Sequence, residues 1–275
     1  MTRNEMIAAA HKGLLLGPSP LLRHTPGGRR AEIEGVVLNY WGPHGPALNK
    51  VVVVASAPPL ARIVGLAEAF FGPESGGFGI VLEADAGHTV EAELRAAGWE
   101  VFEDEPVLVF PSIPAPPPLP AGLEIRRVCD PESRRDLGRV TAAGFGSPTA
   151  EGMVELPPDA LESLLPSLAC ANDPEIALLV GYLDGQPVAS AFLFMVGSIA
   201  GITGVATVPA YRRRGLGMAL TWGALREGAA RGCTCATLAA LGASYNMYRK
   251  MGFLHVCNHR AYQRPAVTAG KSAAP

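Results

Sequence analysis

A proline-rich segment divides this 275-residue chain into two parts of similar length. It runs from Pro111 to Gly122 and reads PSIPAPPPLPAG. Because proline fixes φ and lacks a backbone N–H, such a run disfavours helix and central strand and favours a semi-rigid, extended connector. We therefore expect two domains, at residues 1–110 and 122–265, joined by a linker at 111–121 and followed by a flexible tail at 266–275.

Both parts show alternating strand and helix patterns, which predicts an α/β fold. In the second part, Asp184-Gly185 marks a hairpin, Pro209 ends a strand and Gly232 ends a helix. We predict strands at 31–40, 50–56, 78–84, 100–110, 123–128, 176–183, 188–196, 199–208, 234–241 and 253–263, and helices at 60–71, 89–97, 131–145, 160–170, 216–231 and 244–251.

The two parts also end alike. LRAAGWEVF at 94–102 and YRKMGFLHV at 248–256 each combine a helix end, a glycine, an aromatic residue and a strand. This similarity predicts a diverged internal duplication. The alternative is coincidence, because glycine commonly ends helices before strands.

Composition narrows the function classes. Hydrophobic residues make up 48% and charged residues 17% of the chain, which is typical of a folded core rather than of disorder. The net charge of -2 does not indicate a nucleic-acid or anionic-membrane partner. We find no apolar run of the roughly 20 residues that span a bilayer. The start, MTRNEMIAAAHKGLLLG, predicts an amphipathic helix rather than a signal peptide.

The cysteines and histidines do not predict a disulfide framework or a metal site. There are five cysteines and no CxxC; Cys233 and Cys235 share one face of a predicted strand, so their geometry disfavours a bridge. Reduced thiols favour a cytoplasmic location. His255 and His259 have the parity to share a strand face, but no third ligand accompanies them in the sequence, so we predict no metal.

The segment GVATVPAYRRRGLGMAL, at 204–220, carries the clearest chemistry. Pro209 ends a strand, three arginines and a Gly-Leu-Gly turn follow, and then a helix begins. Glycines let backbone N–H groups approach an anion closely, and those groups point outward at a helix N-terminus, where the dipole favours negative charge. Successive amides in such a turn form an anion nest. The segment therefore predicts a diphosphate site.

Other phosphate motifs fit the chain less well. It has neither GxxxxGK[ST] nor a GxGxxG followed by a distal acid, which argues against a P-loop and a Rossmann dinucleotide site. The remaining alternative is an exposed basic turn before an ordinary helix.

The segment resembles the acetyl-CoA motif of the GNAT acetyltransferase superfamily, Q/R-x-x-G-x-G/A. Arg212, Gly215 and Gly217 match its defined positions, and Tyr248 with Gly252-Phe253 matches the family's Y-x-x-x-G-F. The resemblance covers about residues 122–265 and implies two GNAT-like domains, each a mostly antiparallel twisted sheet flanked by helices. It implies Tyr248 as general acid toward the CoA thiolate. It also implies an acetyl-CoA site at Val205, Ala206, Thr207, Arg212, Arg213, Arg214, Gly215, Leu216, Gly217, Met218 and Ser244.

The chain departs from the family pattern in several places. Leu241 stands where the family often has an asparagine, and Asn246 is out of register. No acid occurs in 198–208, where many members carry a general base, so the base is unassigned; Glu151 or Glu155 is a candidate. The first part lacks the phosphate motif and has Leu94 where Tyr248 would align. It is therefore similar to a degenerate GNAT-like domain without a cofactor site, and tandem arrangements of this kind occur in the superfamily.

These features together predict acetyl transfer from acetyl-CoA to a primary amine of a small molecule or an amino terminus, by direct attack in a ternary complex. A backbone N–H near Thr207–Val208 would stabilise the thioester oxygen. Deprotonating a lysine-like amine at pH 7 costs roughly 4.6 kcal/mol, against roughly 1 for an α-amine, so the missing base favours weakly basic amines. A non-catalytic acyl-CoA sensor and a protein-lysine acetyltransferase are the alternatives. The acceptor, the acyl chain length and the choice between monomer and homodimer stay open.

Overall fold

The N-terminal segment forms consecutive helical pieces that lie across the sheet. A computed structural model describes residues 1–53, 57–84, 86, 89–145, 167–240 and 242–265. Helix α1 (Arg3–Ala10) begins with a capping box, in which Thr2 and Glu5 cap each other's backbone N–H groups. It continues as a π-helical segment, His11–Leu16, and the short helix α2 (Ser19–Leu22) follows. Gly13 lies directly against Gly201 and Thr237, so a side chain at this glycine would collide with the sheet.

The first part of the chain contributes five strands and two helices after this segment. The predicted strand at 31–40 is wrong in one respect, because it is two strands joined by a turn. Glu34 and Gly35 have φ values of 49° and 80°, which breaks the extended backbone and creates a hairpin. The elements are β1 (Arg29–Ile33), β2 (Val36–Tyr40), β3 (Lys50–Val53), α3 (Leu60–Phe71), β4 (Gly79–Glu83), α4 (Thr89–Ala96) and β5 (Glu100–Phe110).

The described residues of the second part form six strands and three α-helices. Of the predicted helix at 160–170, residues 160–166 lie outside the described residues, and the described end is a 3-10 helix, Leu168–Asn172. Residues 111–120 of the proline-rich segment contain neither helix nor strand. The elements are β6 (Leu123–Arg127), α5 (Pro131–Phe145), β7 (Ile176–Leu183), β8 (Gln186–Val196), β9 (Ile199–Thr207), α6 (Leu216–Ala230), β10 (Cys235–Ala239), α7 (Ala243–Met251) and β11 (Leu254–Gln263).

All of these strands join one sheet, in the order β1-β2-β3-β4-β11-β5-β10-β9-β8-β7-β6. Most neighbours are antiparallel, and β3 with β4 and β9 with β10 pair in parallel. The last strand of each part is exchanged: β11 pairs with β4 of the first part, while β5 pairs with β10 of the second. The predicted mixed α/β sheet, mostly antiparallel and flanked by helices, is confirmed.

The two parts repeat the same local geometry at their ends. Each runs strand, helix, parallel strand, helix, last strand, as β3-α3-β4-α4-β5 and β9-α6-β10-α7-β11. The Trp99 N–H donates to Leu94 O over 3.0 Å, and the Phe253 N–H donates to Tyr248 O over 3.1 Å. The glycine before each aromatic residue has a positive φ. These matching elements and hydrogen bonds are what an internal duplication would produce.

The two faces of the second part are covered by different helices. Leu225 of α6 and Tyr248 of α7 pack with Leu179 and Leu238 on one face. Leu137 of α5 packs on the opposite face of β7, against residues of the other parity such as Leu178 and Val180. The N-terminal helices cover that same opposite face where Val107 and Val109 of β5 project. None of the helices in the described ranges combines the length and apolar content that a membrane span requires.

Candidate functional site

The N-terminus of α6 is open. The first hydrogen bond of the helix runs from the Ala219 N–H to Gly215 O, so the amides of the preceding residues have no acceptor within the helix. Gly215 is the N-cap, with φ 77°, and makes no side-chain cap hydrogen bond. Arg213 also has a positive φ, 64°. Outward-pointing amides in such a turn, at the positive end of a helix dipole, form a concave site for an anion.

Strand β9 leaves its neighbour β10 just before this loop. The parallel pairing of the two strands ends at Ile202 with Leu238, whereas β9 continues to Thr207 along β8 alone. Between these points β9 contains a bulge, where Gly204 and Val205 stand opposite a single residue of β8. Gly204 has φ 58°, and a Cβ there would lie 2.7 Å from the Phe192 ring, so glycine is required. The result is a V-shaped opening in the sheet.

The opening and the helix N-terminus adjoin each other at Gly217. A Cβ placed on Gly217 would lie 3.6 Å from Thr207 Oγ1, 3.8 Å from Val205 Cγ1 and 3.9 Å from Met247 Cε. Gly217 therefore borders both the free edge of β9 and the middle of α7. Of its helix neighbours, Leu216 is buried in the core and Met218 is half-buried. Ala206, also predicted at the site, points to the opposite face and meets Gly144 of α5.

The three predicted arginines differ in what they contact. Arg212 donates from Nε to Thr207 O (3.2 Å) and from a terminal nitrogen to Gly144 O (2.9 Å), so its side chain fastens the loop to β9 and α5. Arg213 and Arg214 are exposed, and the Arg214 guanidinium lies 5.3 Å from the centre of the Tyr211 ring. Arg213 and Arg214 thus keep their charge at the surface beside the open amides.

Tyr248 lies in α7, packed under the same loop. Its side chain is only 4% exposed, and its ring meets Phe253 edge-on with centroids 5.8 Å apart. Burial raises the pKa of Tyr248 to about 12, and a hydrogen bond with the Thr221 side chain acts in the opposite direction. The Thr221 hydroxyl itself donates to Gly217 O (2.9 Å). Thr221 therefore connects Tyr248 to the glycine at the open helix N-terminus.

Other predicted groups have definite positions. Ser244 lies half-buried in the first turn of α7. Of the amides near Thr207–Val208, the Val208 N–H donates to Val188 O (2.9 Å), so it is not free to stabilise a thioester oxygen. Because N–H directions alternate along a strand, the Thr207 N–H points away from β8, toward the opening. Glu151, Glu155 and Leu241 lie outside the described residues.

A pocket of about 200 Å³ lies where the two parts meet, and we call it the junction pocket. Thr203 of β9 and Ala239 of β10 line it beside the opening, and Glu103 and Glu105 of β5 line it from the first part. Sequence reasoning missed these acids. Their alternation on β5 was a signal that they share one face, but nothing local indicated that β5 lies beside β10.

The structure groups His259 with Cys257 of the same strand and with His11 of the N-terminal segment. Donor atoms of His11, Cys257 and His259 lie within 4.8 Å of one another, and His11 Nε2 is 3.4 Å from Glu83 Oε2. Burial and the neighbouring His11 lower the pKa of His259 to about 3, so its imidazole is neutral. His255 instead contacts Tyr245 and Asn258.

Known structures share this fold over most of the chain. A GCN5-related N-acetyltransferase from Kribbella flavida superposes with a TM-score of 0.65 at 19% identity, covering 94% of each chain. One from Sphaerobacter thermophilus gives 0.57 at 16% identity, covering 83% of this chain and 80% of the other. A tandem GNAT protein from the clavulanic acid biosynthesis pathway gives 0.54 at 11% identity, with 82% and 78% covered. At these identities the likeness concerns the fold.

A family model matches within the second part of the chain. Residues 149–253 match the model of the Acetyltransferase (GNAT) family, a range that contains the bulged strand, the open helix N-terminus and Tyr248. The second part of the chain therefore contains a match to the GNAT family, as its motifs predicted. Comparison with curated proteins gave no match.

Proposed function

We propose that this protein is an acetyl-CoA-dependent N-acetyltransferase acting on a primary amine of a small molecule or an amino terminus. The observation that carries the proposal is the open N-terminus of α6 beside the splayed end of β9. An anion fits the first feature and an extended chain fits the second. A thioester cosubstrate with a diphosphate and a pantetheine arm has both parts.

Each part of the cosubstrate has a site in this geometry. The amides from Gly215 to Met218 would bind the diphosphate, with Arg213 and Arg214 adding positive charge. The edge of β9 at 205–207, which has no strand on its β10 side among the described residues, would pair with the pantetheine arm. When bound, acetyl-CoA supplies an activated acyl group as a thioester. The Thr207 N–H would polarise its carbonyl oxygen.

Tyr248 is our candidate for the group that assists the departing thiolate. Its pKa of about 12 keeps the phenol protonated throughout the physiological range, so it remains a hydrogen-bond donor. Its contact with Thr221, and through it with Gly217, places it below the helix N-terminus. Charge that develops on sulfur would receive a hydrogen bond or a proton from this phenol.

The two parts would then have different roles. We propose that 1–110 and 122–265 are tandem GNAT-like domains, joined by the linker at 111–121, and that the second alone binds the cosubstrate. The five cysteines have no disulfide partner in the structure, which supports a cytoplasmic location. One equivalent of acetyl-CoA would bind per chain.

Calorimetry and an activity assay on the same protein test this function. We expect one equivalent of acetyl-CoA to bind, and thiol to be released when small primary amines and peptide amino termini are added. Binding without thiol release across that panel would favour the sensor alternative. Absence of acetyl-CoA binding would refute the site.

A further inference from the structure

The junction pocket lies on the far side of the sheet from Tyr248. Thr203 and Ala239 are the next residues of β9 and β10 after the last pair of the two strands, Ile202 with Leu238. Side chains alternate along a strand, so Thr203 and Ala239 face away from Ile202 and Leu238, which pack with Tyr248. The opening between the strands therefore has Tyr248 on one face of the sheet and the junction pocket on the other.

Two carboxylates and one ammonium line the pocket, and one of the carboxylates has no hydrogen bond or ion pair with the part of the chain that is described. Lys50 Nζ is 2.7 Å from Glu103 Oε2 and 4.3 Å from the centre of the Phe102 ring, so this charge is paired. Glu105 is partly buried on the same face of β5, opposite His259 of β11, and makes no hydrogen bond to the described residues.

The surroundings of Glu105 favour its protonated form near neutrality. Burial and the neighbouring Glu103 raise the pKa of Glu105 to about 7, while Lys50 acts in the opposite direction. The titratable groups on the adjoining elements are His259 of β11, Glu83 of β4 and His11 of the N-terminal segment. His259 is neutral, and Glu83 and His11 lie on the side of His259 that is farther from Glu105. A carboxylate whose pKa is close to the working pH can both accept and release a proton, as a general base must.

We infer, given the proposed function, that Glu105 is the general base of the transfer and that the junction pocket holds the amino group of a small cationic acceptor. Glu105 takes one proton from the acceptor ammonium, and the freed lone pair forms the C–N bond to the acyl carbon as the C–S bond breaks. The thiolate takes a proton from Tyr248, the second proton lost by nitrogen restores Tyr248, and Glu105 passes its proton to solvent.

Strand exchange explains how this base reaches the opening. Strand β9 has no acid in 199–207, so the second part lacks a carboxylate of its own on the bulged strand. Strand β5 of the first part pairs with β10 and brings Glu105 to the same pocket as Ala239. The first part would therefore complete the active site of the second.

A second cleft, larger than the junction pocket, is a weaker candidate for the acceptor. It has about 610 Å³ and lies between α5 and the β6–β8 end of the sheet. Asp136 there accepts a hydrogen bond from the Tyr182 hydroxyl (2.9 Å), and Asp130 caps α5 by accepting from the Ser133 N–H (2.8 Å). Asp130 and Asp136 are thus engaged, and Glu132, the third carboxylate of the cleft, is exposed to solvent.

Three substitutions on one strand test the role of Glu105. Glu105→Gln keeps the shape and removes the base, so we expect turnover with the best amine of a panel of glycinamide, ethanolamine and ethylenediamine to fall about 10²-fold or more. Acetyl-CoA affinity should be unchanged. Glu103→Gln removes a negative neighbour and frees Lys50, so the pKa of Glu105, and with it the acidic limb of the rate profile, should move to lower pH. Glu100→Gln, exposed at the start of β5, is the control and should behave as the parent.

A stability measurement provides a readout apart from catalysis. Because the folded pKa of Glu105 is raised above its unfolded value, its contribution to stability is greatest below the unfolded pKa and is lost as pH rises through about 7. The folded pKa of His259 is depressed, so below its unfolded pKa its contribution to stability changes with pH in the opposite direction. The stability of the parent measured against pH therefore combines both contributions. The stability gained by Glu105→Gln over the parent should therefore grow between about pH 4 and pH 7.

The outcomes separate the two proposals. If the parent transfers acetyl groups and Glu105→Gln does so equally fast, the role of Glu105 is overturned and the proposed function stands. The same holds if Glu103→Gln leaves the acidic limb of the rate profile at the same pH. A stability difference that is flat with pH would also overturn it. No transfer by the parent to any amine would overturn the proposed function and this inference together.

Discussion

The two parts of the chain contain helices at corresponding positions, α3 and α6, whose N-termini differ in whether a side chain of the protein accepts their hydrogen bonds. Helix α6 starts at Gly215 and leaves its first amides open to an external anion. Helix α3 starts after Pro58-Pro59, and the Leu60 N–H donates to Glu93 Oε2 over 2.6 Å. In the first part, the positive end of the helix dipole thus binds a carboxylate of the protein itself. In the second part, the corresponding end of α6 is left open.

One position accounts for much of this difference. Glu93 precedes Leu94 as Met247 precedes Tyr248, so the two residues correspond in the repeat. Met247 lies beside Gly217 without supplying a charge, whereas Glu93 reaches the helix end directly. Pro59 also lacks the N–H that a nest of amides would need. A few side chains therefore determine whether the N-terminus of such a helix is open or occupied by the protein itself.

The largest effect on turnover is expected at Tyr248, the residue that corresponds to Leu94 in the first part. Tyr248→Phe keeps the ring and removes the hydroxyl, so we expect turnover to fall about 10²-fold with acetyl-CoA affinity near that of the parent. Stability should fall by about 1 kcal/mol because the hydrogen bond with Thr221 is lost. The pKa of about 12 also predicts no alkaline loss of rate from Tyr248 below that pH. Full turnover in the variant would make Tyr248 a packing residue, like Leu94.

A smaller effect is expected from giving α6 its own carboxylate. Gly217→Asp should imitate Glu93, and its Cβ would make only ordinary contacts, at 3.6 Å or more, so the fold should be retained. We expect acetyl-CoA affinity to fall at least tenfold by calorimetry, while thermal stability rises slightly because an acid in the first turn favours the helix dipole. Gly217→Asn, of equal size and without charge, should weaken binding less. Unchanged affinity in Gly217→Asp would refute the diphosphate site.

The smallest effect on binding is expected from the reverse change. Glu93→Gln weakens the internal partner of α3, which should cost about 1 kcal/mol of stability. It should not create a cofactor site, because α3 follows two prolines and has no glycine turn. Calorimetry should still give one equivalent of acetyl-CoA per chain. A second equivalent would show that Glu93 alone had blocked an otherwise intact site.

The sequence predicted what depends on neighbouring residues. The turn before α6 and the similar ends of the two parts each depend on consecutive residues. The match of residues 149–253 to the GNAT family model confirms the resemblance that this turn predicted. The assignment of individual site residues stays a prediction. The hairpin at Glu34-Gly35 was missed, although a glycine preceded by an acid is a local turn signal.

What the sequence did not predict depends on pairing between distant segments. The exchange of β5 and β11 follows from pairing and burial over the whole sheet, and no residue of β5 specifies it alone. The junction pocket exists only because of that exchange, so Glu105 could not be recognised as a candidate base. The grouping of His11 with His259 similarly joins the two ends of the chain.

The exchanged strands also determine how the chain must fold. Strand β4 ends at Glu83, yet its neighbour in the sheet, β11, begins at Leu254, so the first part cannot complete its sheet until nearly the whole chain has been made. Such distant pairing has a high loop-closure cost and slows folding. Neither part retains all of its strand partners without the other. Heating or denaturant should therefore unfold both parts in one cooperative transition, and the proline-rich connector should not mark a cut that leaves two independent, stable fragments.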